Sequence, residues 1–414
     1  MSTVDIRIPE YVAGLIARLE SGGHEAVVVG GCVRDALMHR AAHDWDMATD
    51  ATVRDMQACF EGYKTVNTGI RHGTITVITD GHPVEVTTYR TGTEEMTPVT
   101  LQMDLAHRDL TVNAMAYHPD RGLTDLFGGA EDVAKRRIRF VQSAADRIEE
   151  DPLRLLRALR FASALDFEID EEGCREIRKK AGYLSVVAPE RIQSEFRKLI
   201  AGPAAGKVIR DYSNVWKVFL PEAAISLESA RVADAIGYSV PDEAVRLALA
   251  FMPTDKALPY TEHSVGHYLK ALRMDNALQE TVKKILAFPY ERLEAEPVTL
   301  NHLIVEKSLP IVRKAIEYHY AVHCMSFSKE KGALDKVAQT HEQLRSVVEE
   351  LVCSGACMRP ADLAVSGTEL IAAGIVQNGP EVGQCLNRLL NAVIDRKINN
   401  AKEDLLEFAA QCRT

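Results

Sequence analysis

The first 130 or so residues alternate short apolar runs with turns and helical stretches. Ala26-Val27-Val28-Val29 is a continuous apolar run that ends at Gly30-Gly31, the pattern of a buried strand entering a turn. Upstream, residues 1–20 have helical spacing. Downstream, Cys32 to Met38 can start a helix, and His43 to Met47 reads as the next strand. Asp50 to Phe60 is spaced as a helix capped by Asp50 or Thr52. Two β-rich stretches follow, Thr74 to Thr79 and Val84 to Tyr89. The turn Asp80-Gly81-His82-Pro83 between them predicts a hairpin or meander. The character changes after Phe140. From Ala144 onward the periodicity is helical, with very few strand signals, and it is broken at Pro189, Gly202-Pro203, Ser366-Gly367, Gly374 and Gly379-Pro380. The expected architecture is an α/β head with a small mixed sheet, followed by a long all-α remainder.

Bulk properties narrow the class. The chain of 414 residues is long enough for several domains, and its 46% hydrophobic and 26% charged content is ordinary for a globular protein. No apolar run is long enough to span a bilayer. Met1 to Glu20 carries acidic residues and lacks the signal-peptide pattern. The eight cysteines are scattered, and Cys353 and Cys357 have no companion His spacing, which argues against a zinc site and fits free thiols in the cytoplasm. A net charge of −10 argues against indiscriminate nucleic-acid binding. The densest basic run, Lys135-Arg136-Arg137-Ile138-Arg139, reads by itself as a solvated surface.

Asp44 and Asp46 change the picture most. They sit one residue apart, just beyond the turn Gly30-Gly31-Cys32-Val33-Arg34-Asp35. Asp-x-Asp at a strand end puts both carboxylates on one face. Hard oxygen ligands of this kind suit Mg²⁺, which usually completes its coordination with substrate phosphates. The expected role is to hold two Mg²⁺ ions at a nucleotidyl-transfer site, with Glu85 on a nearby strand as a candidate third carboxylate. Taken alone, Asp-x-Asp pairs are usually turn or cap residues. The glycine turn and the surrounding strand pattern favour the metal reading. His43-Asp44 also spells the dipeptide of a metal phosphohydrolase, but no matching His and Asp set follows.

Glu150-Asp151-Pro152-Leu153-Arg154 opens a helix that continues through Arg157 and Arg160. Asp151 can simply cap it, with Pro152 first and the arginines solvated. The sharper reading uses Asp151 and Arg154 as an acceptor and donors side by side. Cytosine and adenine present an amino donor beside a ring-nitrogen acceptor. Uracil and guanine present a carbonyl and a ring N–H there. A buried mismatch costs about 1–3 kcal/mol per group, so one Asp/Arg pair can separate C and A from U and G. Arg157 could continue this face, whereas Arg160 lies on the far side from Asp151 by helical rotation. In His107-Arg108-Asp109-Leu110-Thr111-Val112-Asn113-Ala114-Met115-Ala116, Arg108 could neutralise a phosphate and Asp109 could accept from a ribose hydroxyl. By itself this segment reads as an amphipathic helix capped by Asp109.

These stretches, in this order, resemble the class II tRNA nucleotidyltransferases, the CCA-adding enzymes of the polymerase β superfamily. The match runs over nearly the whole chain. Gly30 to Asp35 is similar to the family's glycine turn, Asp44 and Asp46 to its metal pair, and His107 to Ala114 to its ribose motif. Glu150 to Arg154 is similar to its base-reading motif, Glu190-Arg191 with Glu195 to a later helix element, and Asp125 to Gly129 to its hinge. Gly379-Pro380 and Asn399-Asn400 resemble its tail. The resemblance implies a seahorse of head (1–142), neck (143–206), body (207–300) and tail (301–414), the last three helical. It implies that Gly30, Gly31 and Arg34 contact the triphosphate, and that Arg108, Asp109, Asp151, Arg154, Arg157 and Arg160 line the nucleotide pocket. It implies two Mg²⁺ ions and CTP and ATP as substrates, with the tRNA 3′ end as acceptor. The body and tail would hold the tRNA elbow. No nucleic-acid template and no membrane are implied.

The chain departs from the family pattern at two places. His107 stands where the family usually has arginine. The segment Thr91 to Met103 is short, and Thr91 to Pro98 holds no Lys or Arg. In the family a longer loop there helps the pocket switch from CTP to ATP, and short-loop members add only C-C. The expectation is therefore a CC-adding enzyme followed by a separate A-adding partner, with a full CCA-adding enzyme as the alternative. A bacterial poly(A) polymerase shares the same head but is expected to end in a more basic extension. A catalytically inactive RNA-binding protein is the reading from another class, which the intact Asp44 and Asp46 oppose.

Overall fold

Ala26–Val29, buried along its whole length, forms strand β1 near the centre of a seven-stranded sheet. In this computed structural model the described residues are 6–42, 44–90, 99–220, 230–252, 262–330 and 332–411. They belong to two compact units, Met1–Pro221 and Glu222–Thr414.

In the first unit, α1 (Glu10–Ser21) precedes β1, and α2 (Gly31–Leu37) follows it directly. The remaining strands of the sheet are β2 (Asp46–Thr49), β3 (Lys64–Val66), β4 (Thr74–Thr79), β5 (His82–Thr88), β6 (Met115–His118) and β7 (Gly122–Asp125). Their order is β3-β4-β5-β2-β1-β6-β7. Only β2 and β5 run parallel, so the sheet is mixed. The expected hairpin is present, with Asp80 and Gly81 both at positive φ in its turn. Helix α3 (Val53–Cys59) starts at a Thr52–Asp55 capping box, which selects Thr52 over Asp50 as the cap.

Several boundaries differ from the sequence reading. The first helix begins at Glu10, after Pro9. The second strand begins at Asp46 rather than His43, because pairing with β1 and β5 starts only there. His43 and Thr91 to Pro98 lie outside the described residues. The segment expected as a helix capped by Asp109 is not one. Helix α4 (Leu101–His107) ends at His107, Arg108 is extended, and a short 3-10 turn leads into β6. The pairing of β6 with both β1 and β7 outweighs the segment's helical spacing.

The basic run is also not a solvated face throughout. Helix α5 (Gly129–Ala134) buries Asp132 completely. Its carboxylate accepts from Arg137 at 2.5 Å, from Arg139 at 2.8 Å and from the Thr111 hydroxyl at 2.6 Å. Arg137–Ile138 is strand β8, which pairs with β9 (Glu168–Ile169), one short strand inside the otherwise helical stretch.

Helices α6 (Ala144–Glu150), α7 (Leu153–Leu165), α8 (Glu171–Lys180), α9 (Pro189–Ile200), α10 (Ala205–Asp211) and α11 (Ser213–Phe219) complete this unit. Phe196 on α9 and Trp216 on α11 are buried with ring centroids 5.9 Å apart. The Trp216 indole N–H donates to the Ile209 carbonyl at 2.8 Å, so its one polar group is satisfied.

The second unit is helical among its described residues. The helix Leu309–Phe327 packs against Ala230–Tyr238, Glu243–Ala250 and Ala333–Cys353. Leu300, Ile304, Val312, Ile316, Leu344 and Val348 belong to one core, and Leu370, Leu389, Leu390 and Leu405 to another. No helix of the described residues is long and apolar enough to cross a membrane. A histidine group borders the first of these cores. His341 is fully buried, and its Nε2 lies 3.3 Å from His323 Nδ1. Burial lowers His319 and His341 to about 4.

Two predictions follow from these contacts. Asp132→Ala leaves two cations and a hydroxyl without their acceptor, and should cost about 3–5 kcal/mol in urea unfolding. A change below 1 kcal/mol would contradict that account. For the histidines, a folded pKa of about 4 lies below the ordinary 6.5. Their stabilisation is therefore complete above that ordinary value and is lost as pH falls toward the folded one. Amide-exchange protection in Leu309–Phe327 should weaken across that window in the full chain. His341→Phe should flatten the loss, and an unchanged acid limb in that variant would contradict the assignment.

Candidate active site

The turn after β1 sets the geometry of the site. Gly30 has φ +78°, a conformation that costs an L-residue about 1–2 kcal/mol. A Cβ there would also stand 3.1 Å from Arg108 Nη1. The backbone can therefore pass close beside a cationic side chain, and α2 begins at Gly31, which itself lines the adjoining cavity. Gly129, in the segment similar to the hinge, has a different reason to be glycine. A Cβ there would lie 2.2 Å from the Thr111 carbonyl. The Asp125 carboxylate accepts from the Gly129 and Ala130 amides at 2.8 and 2.9 Å, capping α5.

A cavity of about 680 Å³ opens beside this turn, wholly within the first unit. It gathers Gly30, Gly31, Arg34, Asp44, Asp46, Arg108, Asp109, Asp151, Arg154, Arg157 and Arg160. Eleven of the twelve residues singled out from the sequence thus share one wall system. Glu85 is the exception among them. It lies one strand across from Asp46, in direct parallel register, and so shares that side of the sheet. The cavity also includes residues that the sequence reading did not single out as site residues, among them Asp35, Arg90, Asp104, Asn113, Phe161 and Arg191. In all, seven arginines and six aspartates line it, which excludes an apolar ligand and suits a polyanion accompanied by cations.

Asp44 precedes β2 and Asp46 is its first residue, with the intervening Trp45 buried. The alternation expected of the Asp-x-Asp pair therefore holds although the strand starts three residues later than His43. The surrounding protein wall raises the Asp46 carboxyl above its ordinary value, first by desolvation and then through the Glu85 charge, while Arg108 opposes the shift. Such crowding of carboxylates is relieved by a bound cation. Among the described residues no three His, Cys, Asp or Glu side chains form a closed metal cage. The donor set is an open pair of hard oxygens, the kind that Mg²⁺ shares with substrate phosphates and water.

The arginines are held at defined positions. Arg34 donates to Asn113 Oδ1 at 2.6 Å and to Asp35 Oδ1 at 2.8 and 2.9 Å. Arg108 donates to Asp104 Oδ2 at 2.9 and 3.1 Å. Asp104 Oδ1 accepts from the Arg90 amide at 3.1 Å. Asp109 is buried. It accepts from the Leu110 amide at 2.9 Å and from Arg157 Nε at 2.6 Å, where the sequence reading had it capping a helix. Burial works against the Arg157 cation, but Asp109 and Glu195 outweigh it and raise its pKa. Arg160 is lowered by burial, which Glu195 at 2.8 Å partly offsets. Helical rotation alone placed Arg160 away from Asp151, yet it lines the same cavity. The cavity wraps around that side of α7, and Arg160 lies over the Phe161 ring, 3.7 Å from its centroid.

Helix α7 starts at Leu153 with Pro152 at its N-cap, so Asp151 lies one residue outside the cap position and its Oδ1 accepts from the Leu153 amide at 3.1 Å. Its Oδ2 accepts from Arg191 at 2.7 Å. Arg154 donates to Glu150 at 2.5 Å and to the His107 carbonyl at 3.3 Å. His107 thus supports Arg154 through its backbone carbonyl. The Arg191 contact had a sequence signal, the Glu-Arg-x-x-x-Glu spacing, but nothing local to Arg191 says which residue it meets.

Comparison with known proteins agrees with this geometry. Residues 26–139 match a family model described as "Poly A polymerase head domain", and residues 254–409 match one for tRNA nucleotidyltransferase domain 2. Residues 166–226 match one described as "Probable RNA and SrmB- binding site of polymerase A". A CCA-adding enzyme of Limosilactobacillus reuteri is 32% identical over 411 residues, which cover 95% of this chain and 94% of that protein. The crystal structure of the Bacillus stearothermophilus CCA-adding enzyme in complex with CTP superimposes with a TM-score of 0.75 at 28% identity, covering 97% of this chain and 96% of that one. The Thermotoga maritima CCA-adding enzyme complexed with tRNA shares the fold, with a TM-score of 0.59 at 20% identity over 98% of this chain and 96% of that one. A mixed-sheet nucleotidyltransferase head, a helical remainder and a full-length match to such relatives lead to one conclusion: the chain belongs to the CCA-adding family of tRNA nucleotidyltransferases.

Proposed function

We propose that this protein adds CCA-end nucleotides to the 3′ end of tRNA without a nucleic-acid template, from CTP in the C-C reading and from CTP and ATP in the full C-C-A reading. The observation that carries this reading is the single cavity that joins Asp44 and Asp46 to Asp151 and Arg154. One pair suits metal and phosphate, and the other suits a base edge. In this reading 1–142 is the catalytic head and 143–206 the neck that reads the base. The body (207–300) and tail (301–414) hold the tRNA elbow by shape and backbone contacts, and the reaction is cytoplasmic.

Asp44 and Asp46 would hold two Mg²⁺ ions, with Glu85 close enough in register to tune or share that site. Bound there, the ions would favour the attacking 3′ hydroxylate and offset charge on the triphosphate. The chain's own residues do the rest. Gly30 and Gly31 let the backbone approach the phosphates, and Arg34 and Arg108 supply fixed positive charge. Asp109 orders Arg157 and keeps acceptor capacity toward a ribose hydroxyl. Asp151 accepts from the amino group of C or A, and Arg154 donates to the neighbouring ring nitrogen. Arg157 and Arg160 complete the cationic wall. The tRNA 3′ oxygen then bonds to the α-phosphorus while the bond to pyrophosphate breaks.

The short segment Thr91 to Met103, basic-free over Thr91 to Pro98, favours C-C addition followed by a separate A-adding enzyme. Full C-C-A addition is the second reading, favoured by the names of the relatives. Transcripts ending before the tail, after C and after C-C, incubated with Mg²⁺ and CTP, ATP or both, separate the two on a sequencing gel. Two added C residues with no A is the expected pattern. A complete C-C-A end would overturn the CC-only assignment and leave the family reaction intact.

Asp44→Ala and Asp46→Asn should each lower incorporation by at least about a hundredfold, since even outer-shell metal partners cost 10–100-fold. EDTA should abolish activity and added Mg²⁺ restore it. Near-normal rates in either variant would contradict the metal assignment.

A further inference from the structure

Helix α9 carries Arg191 and Glu195 one helical turn apart; Glu195 reaches the arginine-rich helix α7 and Arg191 the segment just before it. Glu195 pairs with Arg157 at 3.4 Å and Arg160 at 2.8 Å. Arg191 pairs with Asp151 at 2.7 Å. The second contact has a specific chemical consequence. Asp151 and Arg154 are three residues apart at a helix start, where an acid and an arginine ordinarily pair with each other. Such a pair would consume the acceptor and the donors that a base edge needs. In this protein the two side chains are held apart instead. Asp151 is anchored by Arg191 and the Leu153 amide, and Arg154 by Glu150 and the His107 carbonyl.

We infer that Arg191 is a positioning residue for base selection: it holds the Asp151 carboxylate off Arg154, so that an acceptor and a donor stay side by side and open to the incoming nucleotide. Each carboxylate oxygen has two acceptor directions. With one direction of each oxygen occupied, Asp151 still has room for a base amino group, and its rotation is fixed. Arg191 is itself about half exposed, at 53% of its side chain. It is not a core pillar, and its removal opens no cavity. This inference rests on the reading of Asp151 and Arg154 as the base-contacting pair.

The test is single-turnover incorporation of CTP and of UTP on a tRNA transcript ready for its first C. It compares wild type, Arg191→Ala, Arg191→Lys, Asp151→Ala and the double variant Arg191→Ala/Asp151→Ala. Arg191→Ala should reduce the ratio of kcat/KM for CTP over UTP by about tenfold with an unchanged melting temperature. Arg191→Lys should recover most of that ratio, because an ammonium can still hold the carboxylate. In the Asp151→Ala background, Arg191→Ala should add nothing further, as expected for residues acting through one contact. An unchanged CTP/UTP ratio in Arg191→Ala and Arg191→Lys, or fully additive losses in the double variant, would overturn the inference while leaving the proposed function standing. Absence of incorporation by wild type would overturn the reading of the site and this inference with it.

Discussion

Arg157 holds the site together. Its guanidinium joins Asp109, beside the catalytic sheet, to Glu195 on α9, and does so from the middle of α7. The segment around Asp109 is itself tied down, since its carbonyl accepts from Val141 and Leu110 bridges to Phe140. Three separate stretches of chain therefore meet at one cation. With the Arg154 contact to the His107 carbonyl, that joint holds Asp44 and Asp46 at the start of β2 and the N-terminal end of α7 at a defined separation. A site that must align a sugar, a triphosphate and a base needs that separation fixed, because small misplacements lose the advantage of orientation.

A buried or half-buried charge is costly unless it is paired. The cavity meets that condition by alternating signs through the wall: Asp104 with Arg108, Asp35 with Arg34, Asp109 and Glu195 with Arg157, and Arg191 with Asp151. Each of these arginines is held by an acid of the same wall, while the cavity remains polar enough to receive phosphates. The same logic recurs away from the cavity, where fully buried Asp132 gathers Arg137 and Arg139. Asp46 stands apart, because burial and the Glu85 charge raise its carboxyl although Arg108 and Arg90 oppose the rise.

Much of this was legible in the sequence, and the parts that were not have physical reasons. The apolar run at Ala26, the glycine turn and the β-rich pairs depend on local periodicity, so the strands and their hairpin could be read directly. The Asp-x-Asp spacing and the Asp151/Arg154 spacing are also local. The 107–116 segment was misjudged on its own because its fate depends on pairing with β1, a partner far away in sequence. Arg137 and Arg139 looked solvated because one buried aspartate on the preceding helix decides their position. Arg160 looked remote because rotation about a helix axis says nothing of a cavity that wraps around it. Arg191 was visible only as a motif, since its contact bridges 40 residues.

The central claim is that protein side chains in one cavity read the base. The most direct measurement is calorimetric binding of the four nucleoside triphosphates to the wild-type protein with Mg²⁺, in the absence of tRNA. The account predicts that CTP binds more tightly than UTP and GTP by about tenfold or more, the cost of one mismatched buried group. Equal affinity for CTP, UTP and GTP would contradict it.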